Sequence, residues 1–214
     1  MKRLLILFLL IGTACTPAQM NEASAPPSIP ASDPAPTHIP LVQDVPATSA
    51  SSPMPSADIF SELGAPTCAG LTPENTEGPY YTPDTTERKS LLEEGWQGDK
   101  LILIGYVLDS NCQPIPGAWL DFWQADANGE YDNSGYNLRG HQFTDEQGRY
   151  TLETIMPGLY SSRPIRHIHV KIRVPGGEVV TTQLYFPEQP IDGLTVQLED
   201  KGDYHLGIFN FVVR

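Results

Sequence analysis

From residue 100 onward, apolar positions come in short runs cut apart by Gly, Asp, Asn and Pro. The first run, 100–108, is rich in Leu, Ile, Val and Tyr. It stops at Asp109-Ser110-Asn111, whose side chains favour turns by bonding their own backbone. Pro114-Ile115-Pro116-Gly117 is a second break, 118–125 a second run, and Asp126-Ala127-Asn128-Gly129 the turn that ends it. Further runs at 141–143, 149–154, 168–174, 179–186 and 209–213 are separated by Asp145-Glu146-Gln147-Gly148, Pro175-Gly176-Gly177 and Gln189-Pro190-Ile191-Asp192-Gly193. Short strands at such spacing predict an all-β fold, an antiparallel β-sandwich or barrel-like sandwich. Upstream, 71–81 is polar and turn-rich yet carries adjacent tyrosines, Tyr80 and Tyr81, and 90–94 predicts one helical turn ended by Gly95. Residues 67–214 suffice for one domain with its own hydrophobic interior.

The N-terminus follows a different pattern. Met1-Lys2-Arg3 is basic, and residues 4–11 form an apolar stretch too short to cross a bilayer as a stable anchor. Gly12-Thr13-Ala14-Cys15 then resembles a bacterial lipobox. On that reading, residues 1–14 are a lipoprotein signal peptide and Cys15 is lipidated. The folded domain is then held at the cell envelope, at the outer membrane, with the lipid as its one membrane contact. Gly12 departs from the usual Leu, Val or Ile, which leaves simple secretion open. Residues 15–66 are rich in Pro, Ala and Ser without sustained periodicity, too poor in apolar surface to offset the entropy of ordering, and predict a disordered tether.

The formal charge of −13 and the singly scattered Lys and Arg argue against a nucleic-acid partner. With Cys15 set aside, Cys68 and Cys112 remain as a pair. In an oxidising compartment they suit one disulfide between the start of the folded core and its first hairpin; two buried free thiols are the other reading.

Candidate chemistry centres on His167-Ile168-His169. Alternate side chains of a strand share a face, so both imidazoles point the same way and can meet one cation. The pair alone is a weak signal, because polar strand faces carry such pairs by chance. Tyr160 precedes it across a turn containing Pro and Ser that can fold the ring back, and Tyr131 is a second tyrosine.

Several blocks of the chain resemble the intradiol ring-cleavage dioxygenases. Leu103-Ile104-Gly105-Tyr106-Val107 followed by Pro114-Ile115-Pro116-Gly117-Ala118-Trp119-Leu120-Asp121-Phe122-Trp123-Gln124-Ala125-Asp126 and the run to Tyr131 is similar to that family's signature. Leu138-Arg139-Gly140, Gly148-Arg149-Tyr150 and Pro157-Gly158-Leu159-Tyr160 resemble the next block, and Arg163-Pro164 with His167-Ile168-His169 the two-histidine block. Thr181-Thr182-Gln183-Leu184-Tyr185-Phe186 resembles the strand bearing an active-site glutamine.

The resemblance implies that Tyr131, Tyr160, His167 and His169 coordinate Fe(III), with solvent in a fifth position. Phenolate is a hard anionic donor suited to ferric iron, and imidazole is also a good iron ligand. It further implies a catechol-type substrate and O2, with Tyr160 displaced by the substrate and acting as general base, and a cis,cis-muconate-type diacid as product. The family's arginine precedes Pro-x-His-Ile-His, whereas here one extra residue intervenes. Either Arg163 bulges back into place or Arg166 substitutes, and the following proline favours Arg163. Gln183 is expected to contact substrate or oxygen, or else only to pack its strand; Tyr80 lines the pocket or packs its loop. A tether where the catechol and hydroxyquinol enzymes carry a helical dimerisation segment makes the core more like a single protocatechuate dioxygenase subunit, with homo-oligomerisation left open. The competing class is a non-catalytic, transthyretin-like β-sandwich binding lipoprotein, which shares the turn rhythm but has no reason to keep two tyrosines and two histidines together.

Overall fold

The computed structural model describes residues 57–160 and 163–214. The expected signal peptide, Cys15, the expected tether as far as residue 56, and Ser161 and Ser162 lie outside the described residues. Among the described residues nine strands form: β1 (Lys100–Leu108), β2 (Trp119–Trp123), β3 (Arg139–Phe143), β4 (Arg149–Ile155), β5 (His167–Arg173), β6 (Val179–Tyr185), β7 (Gln197–Asp200), β8 (His205–Ile208) and β9 (Phe211–Val212). They pair into one sheet ordered β4-β1-β8-β7, with β9 also on β1, and a second ordered β3-β2-β5-β6.

Strand alternation decides the layers. Leu120 and Phe122 of β2, Ile168, Val170 and Ile172 of β5 and Leu184 of β6 meet Leu101, Leu103 and Val107 of β1 and Tyr150 and Leu152 of β4 in one core. Burying each large apolar side chain contributes about 1.5–3 kcal/mol. A surface ion pair such as Lys201–Glu199 is screened by solvent and contributes far less. The interior layer therefore holds the sandwich together.

The all-β sandwich agrees with the periodicity, and β1 has the predicted bounds. Two pairings depart from an antiparallel scheme, since β8 and β9 lie parallel to β1. Between β4 and β7 the chain passes through β5 and β6 of the other sheet, so it re-enters the first sheet by a crossover, and β8 then follows β7 as a hairpin. Strands β7 and β8 escape sequence patterning: Gln-Leu-Glu-Asp has one apolar residue, and Gly207 interrupts His-Leu-Gly-Ile. Their existence rests on pairing with β1 and with each other.

The helical turn expected at 90–94 does not form. Glu87 and Ser90 instead bridge in extended conformation to His141 and Glu153, Leu91 is buried, and the turn falls at Glu94-Gly95. The free edge of β4 supplies partners that one helical turn lacks: Leu91 N–H donates to the Glu153 carbonyl and Glu153 N–H to the Lys89 carbonyl, both at 2.8 Å.

The ordered body also begins earlier than residue 67. Ala57–Leu63 is a 3-10 helix whose Ile59 packs on Ile102, Ile104 and Leu206, while Arg149 lies 4.3 Å over the Phe60 ring. Cys68 and Cys112 are joined, S–S 2.05 Å, across a sequence separation of 44. Closing a loop of that size in the unfolded chain stabilises the fold by about 4 kcal/mol. Among the described residues no helix is long and apolar enough to cross a membrane.

Candidate metal centre

The side chains that alternate away from the core on the β3-β2-β5-β6 sheet fall into cross-strand rungs. Asp121 pairs with Lys171, and Lys171 with Thr181; Trp123 pairs with His169, and His169 with Gln183; His167 pairs with Tyr185. An outer face would ordinarily meet water. Here Asp121, Trp123, His167, His169, Gln183 and Tyr185 are all buried. The cover is the turn-rich segment before β1. Tyr81 Oη and Thr85 Oγ1 donate to the Asp121 carboxylate at 2.9 and 2.7 Å, and the Tyr81 ring packs 4.8 Å from Trp123. Burial pushes the Asp121 carboxyl up, against the lowering effect of those two hydrogen bonds.

The two candidate tyrosines arrive on neighbouring loops that touch through backbone. Gly129 has φ +85°, a conformation that L side chains rarely adopt, and a Cβ there would stand 2.2 Å from the Leu159 carbonyl oxygen. A Cβ on Gly158 would meet Gly129 N at 2.3 Å. Without side chains at these positions, Tyr131 and Tyr160 come together on either side of the contact, ring centroids 5.9 Å apart and nearly perpendicular at 79°.

All four rings converge. Tyr160 lies 5.9 Å from His167, Tyr131 lies 6.2 Å from His169, and His167 lies 4.8 Å from His169, centroid to centroid. Tyr131 Oη is 3.3 Å from His167 Nε2. The Ile165 carbonyl, which can only accept, is 2.8 Å from His167 Nδ1. Nδ1 therefore carries the hydrogen, and Nε2 presents its lone pair to the cluster. His169 stacks on Trp123 at 4.7 Å and 11°, and its buried Nδ1 makes no hydrogen bond.

Desolvation holds both imidazoles neutral, His167 at about 4 and His169 at about 2, with neighbouring His167 and Arg163 pushing His169 the same way. Desolvation also pushes the Tyr131 phenol well above its ordinary value, Tyr160 adding and Arg163 opposing. Two neutral imidazoles and a phenol that needs a cation before it ionises form a vacant-charge donor set that a hard, highly charged metal fits. Among the described residues no group of three or more His, Cys, Asp or Glu converges, so this is not a carboxylate- or thiolate-rich site.

The two candidate arginines part company. Arg163 Nη2 donates to Tyr185 Oη at 2.7 Å, on the His167 rung. Arg166 turns away to the Pro157 carbonyl and to Glu188, 3.2 Å distant. Gln183, expected to contact substrate or oxygen or else to pack its strand, is buried beside His169 and hydrogen-bonded at both ends of its amide. Its Oε1 accepts from Tyr185 Oη at 2.7 Å and its Nε2 donates to the Thr76 carbonyl at 2.6 Å. Tyr80 stacks on Tyr131 at 4.4 Å and meets Tyr160 edge-on at 6.4 Å, forming a wall of the site. Trp123 and Tyr185 were not singled out from sequence. The spacing Gln183-x-Tyr185 carries the signal for the second, since both lie on one strand face; Trp123 emerges only from the β2–β5 register.

The Dioxygenase_C family model, a dioxygenase, matches residues 76–196. The catechol 1,2-dioxygenase of Acinetobacter guillouiae is 32% identical over 142 residues, 53% of this chain and 46% of that enzyme. The protocatechuate 3,4-dioxygenase alpha chain of Pseudomonas putida is 31% identical, with 55% of this chain and 70% of that one covered. The matched region thus spans about half the length of the catechol 1,2-dioxygenase. Among solved structures, the dioxygenase domain of a dioxygenase carbohydrate-binding protein fusion from Streptomyces sp. SirexAA-E is similar with a TM-score of 0.65 at 46% identity, covering 67% of this chain and 97% of that chain. The 3-chlorocatechol 1,2-dioxygenase of Rhodococcus opacus 1CP is similar with a TM-score of 0.60 at 31% identity, covering 65% and 71%.

Proposed function

This chain belongs to the intradiol dioxygenase family, and on that premise we propose that it is a non-haem Fe(III) enzyme that opens a catechol-type ring with O2, between the two hydroxyl-bearing carbons, to a cis,cis-muconate-type diacid. The observation that carries the reading is the convergence of Tyr131, Tyr160, His167 and His169 on one buried point of an outer sheet face.

Those four side chains would hold the iron, which when bound supplies Lewis acidity toward the catechol oxygens and the redox partner for O2 chemistry. The chain's own residues then divide the work. Tyr131 is pinned under Tyr80 and stays in place. Tyr160 is half-buried like Tyr131 but has no stacked ring over it among the described residues, lies beside the Arg163 bridge, and yields its position to the substrate. Held as phenolate by a bound cation, its Oη would take a proton from a catechol hydroxyl and leave as the neutral phenol, acting as general base. Arg163, held by Tyr185, faces the negative charge left on the substrate. Trp123, Tyr80 and the loop above them exclude water, which strengthens each of these interactions.

We carry the N-terminal reading as a proposal of the same kind: residues 1–14 as signal peptide, Cys15 lipidated, the stretch to residue 56 as tether, and the enzyme at the cell envelope. Mass spectrometry of the mature N-terminus tests it, and an unmodified Cys15 would end the anchor.

The test of function is the visible spectrum of the iron-supplied protein before and after catechol is added without oxygen. A tyrosinate charge-transfer band that shifts with catechol, followed by oxygen uptake on aeration, is expected. A protein that stays colourless with ferric iron would overturn the assignment and favour the binding-protein class.

A further inference from the structure

Arg139 opens β3 opposite Trp123, on the outer face, and is 1% exposed although it carries a full charge. Its three hydrogen bonds all go to backbone carbonyls. Nη1 donates to Tyr80 O at 2.6 Å, while Nε and Nη2 donate to Asp132 O at 3.1 and 2.8 Å. The Asp132 carboxylate is occupied elsewhere, accepting the N–H groups of Ser134, Gly135 and Asn137. A buried charge is costly unless its donors are matched, so an apolar side chain would fill this space more cheaply. What the guanidinium adds is geometry: a planar fork whose diverging N–H groups fix two carbonyls at a set separation, which a single ammonium nitrogen does not.

The two carbonyls belong to the loops that carry the stacked rings. One is that of Tyr80 and the other follows Tyr131, and the rings lie 4.4 Å apart with 20° between their planes. Asp132 is local to Arg139, 7 positions away, but Tyr80 is 59 positions away, so no local turn sets the spacing between the two loops.

We propose that Arg139 is a positioning residue of the metal centre: its fork ties the backbone at Tyr80 to the backbone at Asp132, and this clamp sets where the Tyr131 phenol oxygen stands and how the Tyr80 wall lies beside it. The role toward metal rests on the iron reading above; the clamp itself is a property of the chain.

The test uses Arg139→Lys, which keeps the charge without the fork, and Arg139→Met, which keeps neither, in the full protein. Crystal structures of the iron-free wild type and Arg139→Lys come first. The Tyr80–Tyr131 stack is expected to open in the variant, and an unchanged stack overturns the clamp. Ferric affinity, measured by competition with nitrilotriacetate, is expected to fall about 10- to 100-fold in both variants, with a displaced tyrosinate band. The KM for catechol should rise more than kcat falls. Variants that melt earlier but keep the wild-type band and affinity would make Arg139 merely structural and overturn the proposal. If neither variant folds, Tyr80→Leu leaves Arg139 intact and removes the ring that the clamp presses on Tyr131. The same band displacement is then expected, and a wild-type band overturns the proposal. A wild-type protein that takes up no ferric iron sinks the iron reading instead, and the metal-free structures still decide the clamp.

Discussion

The two outer faces of the sandwich are closed in opposite ways. Over the β4-β1-β8-β7 sheet, Ile102, Ile104 and Leu206 point outward and Ile59 of the 3-10 helix lies on them, a mostly apolar cap whose buried polar neighbours are Thr151 and Glu153, the latter paired with Lys100. Over the other sheet the outward positions are Asp121, Trp123, His167, His169, Gln183 and Tyr185, buried just as deeply. There the covering loop must answer each polar group in turn, Tyr81 and Thr85 at Asp121 and the Thr76 carbonyl at Gln183. Burial by itself therefore does not mark a site. Burial where it is costly does, because unmatched polar groups destabilise by about 1–3 kcal/mol each. Among the described residues, the buried groups left unanswered include His169 Nδ1 and Trp123 Nε1, whose rings stack in the candidate centre, besides Gln142 and Thr151 outside it.

The sharpest way to break this contrast is His169→Ala. Losing a ligand should cost more than the 10- to 100-fold typical of outer-shell changes, so the variant should lose the iron chromophore and more than about 100-fold of activity in a catechol oxygen-uptake assay. Next, Arg163→Ala should lower kcat/KM by about 100-fold, while Arg166→Ala, whose partners are Pro157 and Glu188, should stay within a few-fold. Equal losses from the two would dissolve the distinction drawn between them. Gly158→Ala drives a Cβ into Gly129 N and the Ala127 carbonyl, at 2.3 and 2.4 Å, and so separates the loops bearing Tyr131 and Tyr160. It should cost about 1–3 kcal/mol in urea unfolding and weaken the chromophore, whereas stability loss with an intact chromophore would detach the loop contact from the centre. The smallest effect belongs to the opposite face: Ile59→Ala should cost about 1–3 kcal/mol and leave kcat/KM unchanged. A fall in turnover there would mean that the two faces are coupled.

Most of the scaffold was legible because short apolar runs cut by turn residues mark the strands, and β5, His-Ile-His-Val-Lys-Ile-Arg, alternates cleanly enough to show which of its positions share a face. The misses have one cause. The extended stretch around Ser90, the edge strand β7 and the docked helix at Ala57–Leu63 have weak patterns of their own and form because a partner from elsewhere in the chain offers hydrogen bonds or an apolar surface. The site divides along the same line. The donor types, two phenols and two imidazoles, and the shared face of His167 and His169 follow from local order along the chain. That Arg163 rather than Arg166 reaches the His167 rung, that Gln183 bonds Thr76 and Tyr185, and that Arg139 bridges Tyr80 and Asp132 were decided by tertiary structure alone. Each depends on strand register and on a loop folded across a sheet, and so on distances between residues far apart in sequence, which alternation along one strand does not encode.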